Sequence, residues 1–196
     1  YSKDDDDKGH YIYGNKDIWY PDSIETKTQI AVFHTSPRND AFEVKNENGG
    51  KGTRSMLRLD SISLYNYSDR KLSGDAATPL LRVHFDYNYS LCTGIPNGTA
   101  GKLTLKGIYF TSFTSFKGRR NGYEFQYASF NPGYNIQATD RWGTYKPDSG
   151  SLLNRFFPYT TQDTSLVNGY ASAWLLEKIS LPSGGYISVN YESDQY

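Results

Sequence analysis

Apolar and polar residues alternate along much of this chain, most cleanly in LLRVHFDYNYS. There Leu81, Val83, Phe85, Tyr87 and Tyr89 fall on one side of a strand, and Arg82, His84, Asp86 and Asn88 on the other. A period of two is the mark of a strand with one wet face. TQIAVFHTSPR predicts a buried strand through Ile30, Ala31, Val32 and Phe33, ended by Ser36-Pro37. AFEVKNENGGKGT predicts a short strand through Val44 and then a Gly/Asn loop. In MLRLDSISLYNYSD the apolar parity changes between Leu59 and Ile62, which predicts a bulge.

A hairpin pattern then recurs. The first copy, near 57–89, joins the strand through Leu64 to the strand from Leu81 by a polar loop ending at Pro79. The second, near 103–127, is KLTLKGIYFTSF, a turn through Asn121-Gly122, and YEFQYASF. The third, near 174–193, is AWLLEKISL, a turn at Pro182-Ser183-Gly184-Gly185, and YISVNYES with Ile187, Val189 and Tyr191. Unequal spacing makes this a degenerate repeat rather than a fixed period. Residues 1–27 predict a polar, extended lead-in in which Gly14-Asn15 suits a hairpin turn, and residues 28–196 the hairpin region. No stretch of twelve residues carries helical periodicity with caps. Between the second and third copies runs a long irregular segment, with a helical turn expected only near Leu152–Phe156. The expected fold class is all-β: antiparallel hairpins in a strip, long irregular loops and little helix.

Composition strengthens that reading. Aromatics make up 16% of the 196 residues, with 18 tyrosines and 10 phenylalanines, residues that fit a pleated, half-buried surface. Lysine plus arginine equals aspartate plus glutamate at 21 each, so no basic field marks a nucleic-acid binder. No apolar run approaches the ~20 residues of a membrane helix. The single Cys92 cannot form an internal disulfide. The acidic run Asp4–Asp7 before Lys8 suits a solvated loop or a protease-site tag, and lacks the alternating spacing of a calcium loop.

The unit LEKISLPSGGYISVNYES resembles the RHS/YD-repeat family, whose units run strand, Pro-x-Gly turn, strand and aromatic-aspartate. Matching residues are Leu176, Ile179, Pro182, Gly184, Gly185, Val189 and Tyr191, with Glu192 standing where the family has aspartate. The two earlier copies lack the Pro-x-Gly turn. DRWGTYKP, FPYTTQD and ASAWLLEKISLPSGGYISVNYES together resemble segments of very large bacterial secreted or surface proteins, over the last two thirds of the chain. The RHS/YD resemblance implies a spiralling hairpin strip that closes into a hollow shell, which encloses a toxic C-terminal domain or presents a binding surface. The family's self-cleaving aspartate motif has no counterpart here. A tyrosine-rich strip with one apolar face cannot bury itself in one hairpin and must pair with neighbours. The strand signal running to YESDQY would leave an open edge, so flanking segments of the same polypeptide or neighbouring strands are the expected partners.

Candidate chemistry is sparse. His84 shares a strand face with Asp86, an arrangement open to catalysis, to metal binding or to plain solvent contact. His34 precedes Pro37 and suits a satisfied edge position, Cys92 suits a buried structural thiol, and His10 stands apart. One cysteine and three scattered histidines do not make a tetrahedral zinc site, and no metal or cofactor is expected. NGGKGT at 48–53 lacks the frame of a phosphate loop. Glu124, Glu177 and Glu192 could supply paired carboxylates only if a cleft held them together. Asn66, Asn88 and Asn97 open N-x-Ser/Thr acceptor patterns. The functional alternative lies with loop aromatics: Tyr13, Trp19, Tyr20, Trp142, Tyr145 and Tyr159 could stack on glycans, or could instead lid the ends of a β core. The expectation is a non-catalytic structural segment of a secreted or surface protein. The rival is a self-contained β-sandwich that binds carbohydrate.

Overall fold

A computed structural model describes residues 12–139, 143–147 and 164–193. In chain order they form β1 (Ser23–Glu25), β2 (Gln29–Asn46), β3 (Gly49–Asn66), helix α1 (Tyr67–Ser73), β4 (Leu81–Leu91) and β5 (Lys102–Ser112). β6 (Tyr123–Tyr127), helix α2 (Thr164–Ala171), β7 (Leu176–Ser180) and β8 (Tyr186–Ser188) complete the set. The eight strands make one sheet in strict sequence order, every neighbouring pair antiparallel. The fold is all-β with little helix.

Registers sort the side chains into rows across the strands. Phe33, Ile62, Val83 and Phe110 are successive partners on one face, and Ala31, Leu64 and Leu81 run beside them. Ile108 and Tyr123 continue that face, followed by Phe125, Ile179 and Ile187. The opposite face carries His34, Ser61, His84 and Tyr109 in one row and Val32, Ser63, Arg82 and Thr111 in the next.

Burial does not follow polarity as the alternation predicts. Not one side chain of the apolar rows is buried; Leu81, Phe110, Tyr123 and Ile187 are exposed. The buried members of the sheet centre are Ser61, Ser63 and Thr111, on the polar face. The cause is the β3–β4 connection. It crosses on the polar side, where Ile30 and Tyr65 offer an apolar anchor and the Arg70 guanidinium of α1 sits 5.1 Å from the Tyr65 ring centroid.

Three local features explain the long hairpins. Asp60 is the extra residue between Ser61, opposite His34, and Leu59, opposite Thr35, so the bulge expected between Leu59 and Ile62 is present. Ser36-Pro37 does not end β2. Pro37 has no N–H to give, the ladder slips between Pro37 and Phe42, and the Leu57 N–H donates to the Tyr20 hydroxyl at 3.0 Å. The Gly/Asn stretch expected as a loop is a tight turn instead, with Asn46 opposite Gly49 and β3 starting at once.

The slipped segment docks the β2–β3 hairpin onto the β4–β5 connection. The Asn39 N–H donates to the Tyr89 hydroxyl, Thr99 N–H to Asn39 O at 2.8 Å, and Phe42 N–H to Asn97 O at 2.9 Å. Asp40 is 0% exposed and takes both Arg38 donors, at 2.9 and 2.7 Å, and the Leu103 N–H of β5 at 2.9 Å. Burial opposes its charge, but the Arg38 guanidinium and the Leu103 amide outweigh it and hold the carboxyl below its ordinary range.

Helices α1 and α2 lie where no helix was expected. Asn66 in extended conformation, with Asp69 in the first turn and Gly74 after the last, is the local signal for α1. The turn expected near Leu152–Phe156 lies outside the described residues. The lead-in from residue 12 to 22 contains no strand and is exposed throughout, so Gly14-Asn15 makes no hairpin. In the third hairpin, Gly184 N–H bonds Leu181 O at 2.9 Å and Leu181 N–H bonds Gly185 O at 2.8 Å, with Gly184 at φ +87°. Pro182 and Gly184 therefore stand where such a turn wants them.

Candidate functional site

The polar face holds the two candidate histidines. His34 Nε2 lies 3.0 Å from Ser63 Oγ, and Arg82 Nε donates to the same oxygen at 2.6 Å. His84 Nε2 lies 2.9 Å from Thr111 Oγ1, and its ring stacks on Tyr109 at 4.4 Å and 6°. Burial first, and then the positive charge of Arg82, pushes both imidazoles below the ordinary histidine value. A serine beside a neutral histidine has the outline of a nucleophile and its base. Ser63 is 0% exposed, however, and its hydroxyl is closed to any substrate. His84 spends its ring nitrogen on Thr111 rather than on Asp86. These contacts knit β2, β3, β4 and β5 together.

Asp86 opens instead onto a shallow groove of about 370 Å³ between β5 and β6, with Lys106, Arg119, Arg120 and Glu124 around it. All five charged side chains are exposed. Arg119 sits 5.9 Å from the Tyr109 centroid, so Tyr109 has both His84 and Arg119 as neighbours. No group of three or more metal-ligating side chains occurs among the described residues.

The loop aromatics separate into two kinds. Tyr145 is packed: its ring meets Phe130 at 5.6 Å, Trp174 at 5.3 Å and Tyr170 of α2 at 5.9 Å, edge to face. Burial raises its phenol pKa. That cluster lids the end of the sheet, as amphipathic rings do. Trp19 is the opposite case, 92% exposed, with Tyr13 and Tyr20 exposed nearby in the chain and the Tyr20 hydroxyl held by Leu57. Trp142 and Tyr159 lie outside the described residues.

A second recess lies at the far end of β4 and β5. Cavities of about 430 and 440 Å³ share Cys92, Lys102 and Trp174 in their walls. Leu91, Leu103, Leu105 and Tyr127 line one, and Tyr134, Ile136 and Ala138 the other. The segment from Asn131 to Tyr134 braces it. Asn131 Oδ1 accepts the Cys92 N–H at 2.9 Å, Trp174 Nε1 donates to Pro132 O at 2.9 Å, and Tyr134 N–H donates to Thr93 O at 2.6 Å. Burial pushes the Cys92 thiol up while the Lys102 charge pulls it down; burial wins.

Sequence reasoning did not reach Asp40 or Trp174. Arg38 and Asp40, two apart on a strand and so on one side, were a readable pair. Nothing around Trp174 in ASAWLL distinguishes it from a core residue. NGGKGT runs from the β2–β3 turn at Asn48 straight into β3 with no helix directly after it, so it builds no phosphate cradle. Of the acceptor-pattern asparagines, Asn66 is exposed beside α1, whereas the Asn97 amide donates to Phe42 O.

No family model matches the chain, and neither a curated protein nor a solved structure matches it.

Proposed function

We propose that this chain is a non-catalytic structural segment: one stretch of a hairpin-built strip that forms the wall of a larger shell or scaffold, in a secreted or surface protein. The observation that carries the reading is the half-exposed apolar face of a single-layer meander. Apolar rows cross seven strands, from Ala31 and Phe33 to Ile187, without a buried member. Such a face is stable in water only when something larger covers or encloses it. β1 and β8 stand at the two ends of the strand order and pair on one side only among the described residues, which is where a neighbouring strand would add. The histidines support it too, because their bonds tie strands together. The resemblance of LEKISLPSGGYISVNYES to RHS/YD units points the same way, toward a shell that encloses a toxic cargo.

The deciding measurement is the denatured mass of the polypeptide carrying these residues in its natural source, detected with an antibody to this chain. A mass far above 22.2 kDa is expected. A band near 22.2 kDa sinks the shell. Trp19 favours a second reading, carbohydrate binding, because a ring 92% exposed is free to stack on a sugar. Under that reading, glycans quench tryptophan fluorescence in the native chain and not in Trp19→Ala.

A further inference from the structure

We infer that the recess around Trp174 binds a small amphipathic anion, a medium-length carboxylate whose apolar tail lies along Leu103, Leu105 and Trp174 and whose head group meets Lys102. This inference is independent of the shell reading.

The volume is suitable. Each of the two adjoining cavities, at about 430 and 440 Å³, lies within the ~300–1,000 Å³ of ordinary small-ligand sites. The chemistry of the walls is selective. Leu91, Leu103, Leu105, Tyr127 and Ile136 offer an apolar lining, and Tyr127 has committed its hydroxyl to Leu105 O at 2.8 Å. Among the described residues lining either cavity, Lys102 alone carries a charge, and it lines both. Its ammonium enters no ion pair with a described residue. It faces the recess closely enough to act on the Cys92 thiol. An apolar trough with one unpaired cation is complementary to a tail with one negative end, and it repels the same tail with a positive end.

The walls are also held in place by backbone that L-residues avoid. Among the described residues three non-glycine positions take positive φ, and two of them are in this recess: Cys92 at +48° and Trp174 at +61°. Such a position persists only where surrounding contacts over-determine it. Here those contacts are the Asn131 amide on the Cys92 N–H and the Pro132 carbonyl on the Trp174 indole. Strain braced by dedicated hydrogen bonds on both sides of a cavity keeps the cavity open.

The test is calorimetric titration of the full chain with sodium decanoate below its micelle concentration, set against nonyltrimethylammonium, which has the same nine-carbon tail and the opposite charge. Saturation at one decanoate per chain is expected, with the cationic analogue weaker by about tenfold or more. Lys102 is exposed, so Lys102→Met should leave the far-ultraviolet circular dichroism unchanged and weaken decanoate by a similar factor. Decanoate should also slow alkylation of Cys92 by iodoacetamide in the unaltered chain. No saturable uptake overturns the inference. So does uptake of several equivalents that ignores both the head-group charge and Lys102→Met, since that is the behaviour of the exposed apolar sheet face. Equal affinity for the two head groups overturns it as well.

Discussion

Asp40 ties β2 to β5 through one carboxylate. It is fully buried, it receives the fork of Arg38, and it caps the Leu103 N–H that the β4–β5 ladder leaves free at that point. Asp40→Ala strands the guanidinium and the amide together, and should cost about 3 kcal/mol, read as a lower urea midpoint. Asp40→Asn keeps an acceptor for Leu103 and should cost less. The histidines set a separate pH response. Both imidazoles have folded pKa values below the ordinary 6.5, from burial and from Arg82. The unfolded chain therefore binds protons that the folded chain refuses as pH falls below about 6.5. Their contribution is complete above that pH and is lost as pH drops through the folded values. The His34→Gln chain should show a flatter decline of melting temperature over that window. Asp40, with its depressed carboxyl, adds a second loss at lower pH, below the ordinary 3.8.

Strands and turns differ in how far local chemistry settles them. The Asp60 bulge was legible because a bulge inverts the parity of apolar positions, and the inversion between Leu59 and Ile62 is visible in the chain itself. The Pro182–Gly185 turn was legible because proline presets one dihedral and glycine supplies the positive one. The passage of β2 through Pro37 was not, since the substitute partner for Leu57 is a tyrosine 37 residues away. Two glycines test the distinction. Gly184 at φ +87° has open space where a methyl would sit, with nothing within 4 Å, so Gly184→Ala should cost only about 1 kcal/mol, from the left-handed backbone. Gly101 has no such backbone, but a methyl there would collide with the Leu91 carbonyl oxygen. Backbone must move, so Gly101→Ala should lower the urea midpoint more than Gly184→Ala does.

Across the whole molecule the unusual quantity is the apolar surface left on one side of the sheet. Leu81 on β4 and Ile187 on β8, both exposed on that face, are the positions to charge. Leu81→Lys and Ile187→Lys should each change stability by less than about 1 kcal/mol, because neither fills a buried site. Together they should reduce binding of a hydrophobic dye and any concentration-dependent self-association seen by sedimentation velocity. Unaltered dye binding in the double variant would mean that the face is not the exposed surface, and would remove the main support for the shell.

Local pattern alone determined the all-β class, the central runs of most strands, the Asp60 bulge and the third hairpin turn, and left the order in which the strands pair open. Each of these depends on side-chain parity or on one residue's allowed dihedrals, which neighbours in the chain already specify. It also separated the two faces of β4 correctly, as Val83 and Phe85 against Arg82 and His84. Which face would be buried was a tertiary matter. The β3–β4 connection chose the polar side by docking on Tyr65, and so closed over Ser63 while leaving Phe110 in contact with solvent. The Trp174 recess is tertiary for the same reason. Its walls come from β4, β5, β6 and the segment before β7, and only packing brings Cys92, Lys102 and Trp174 around one space.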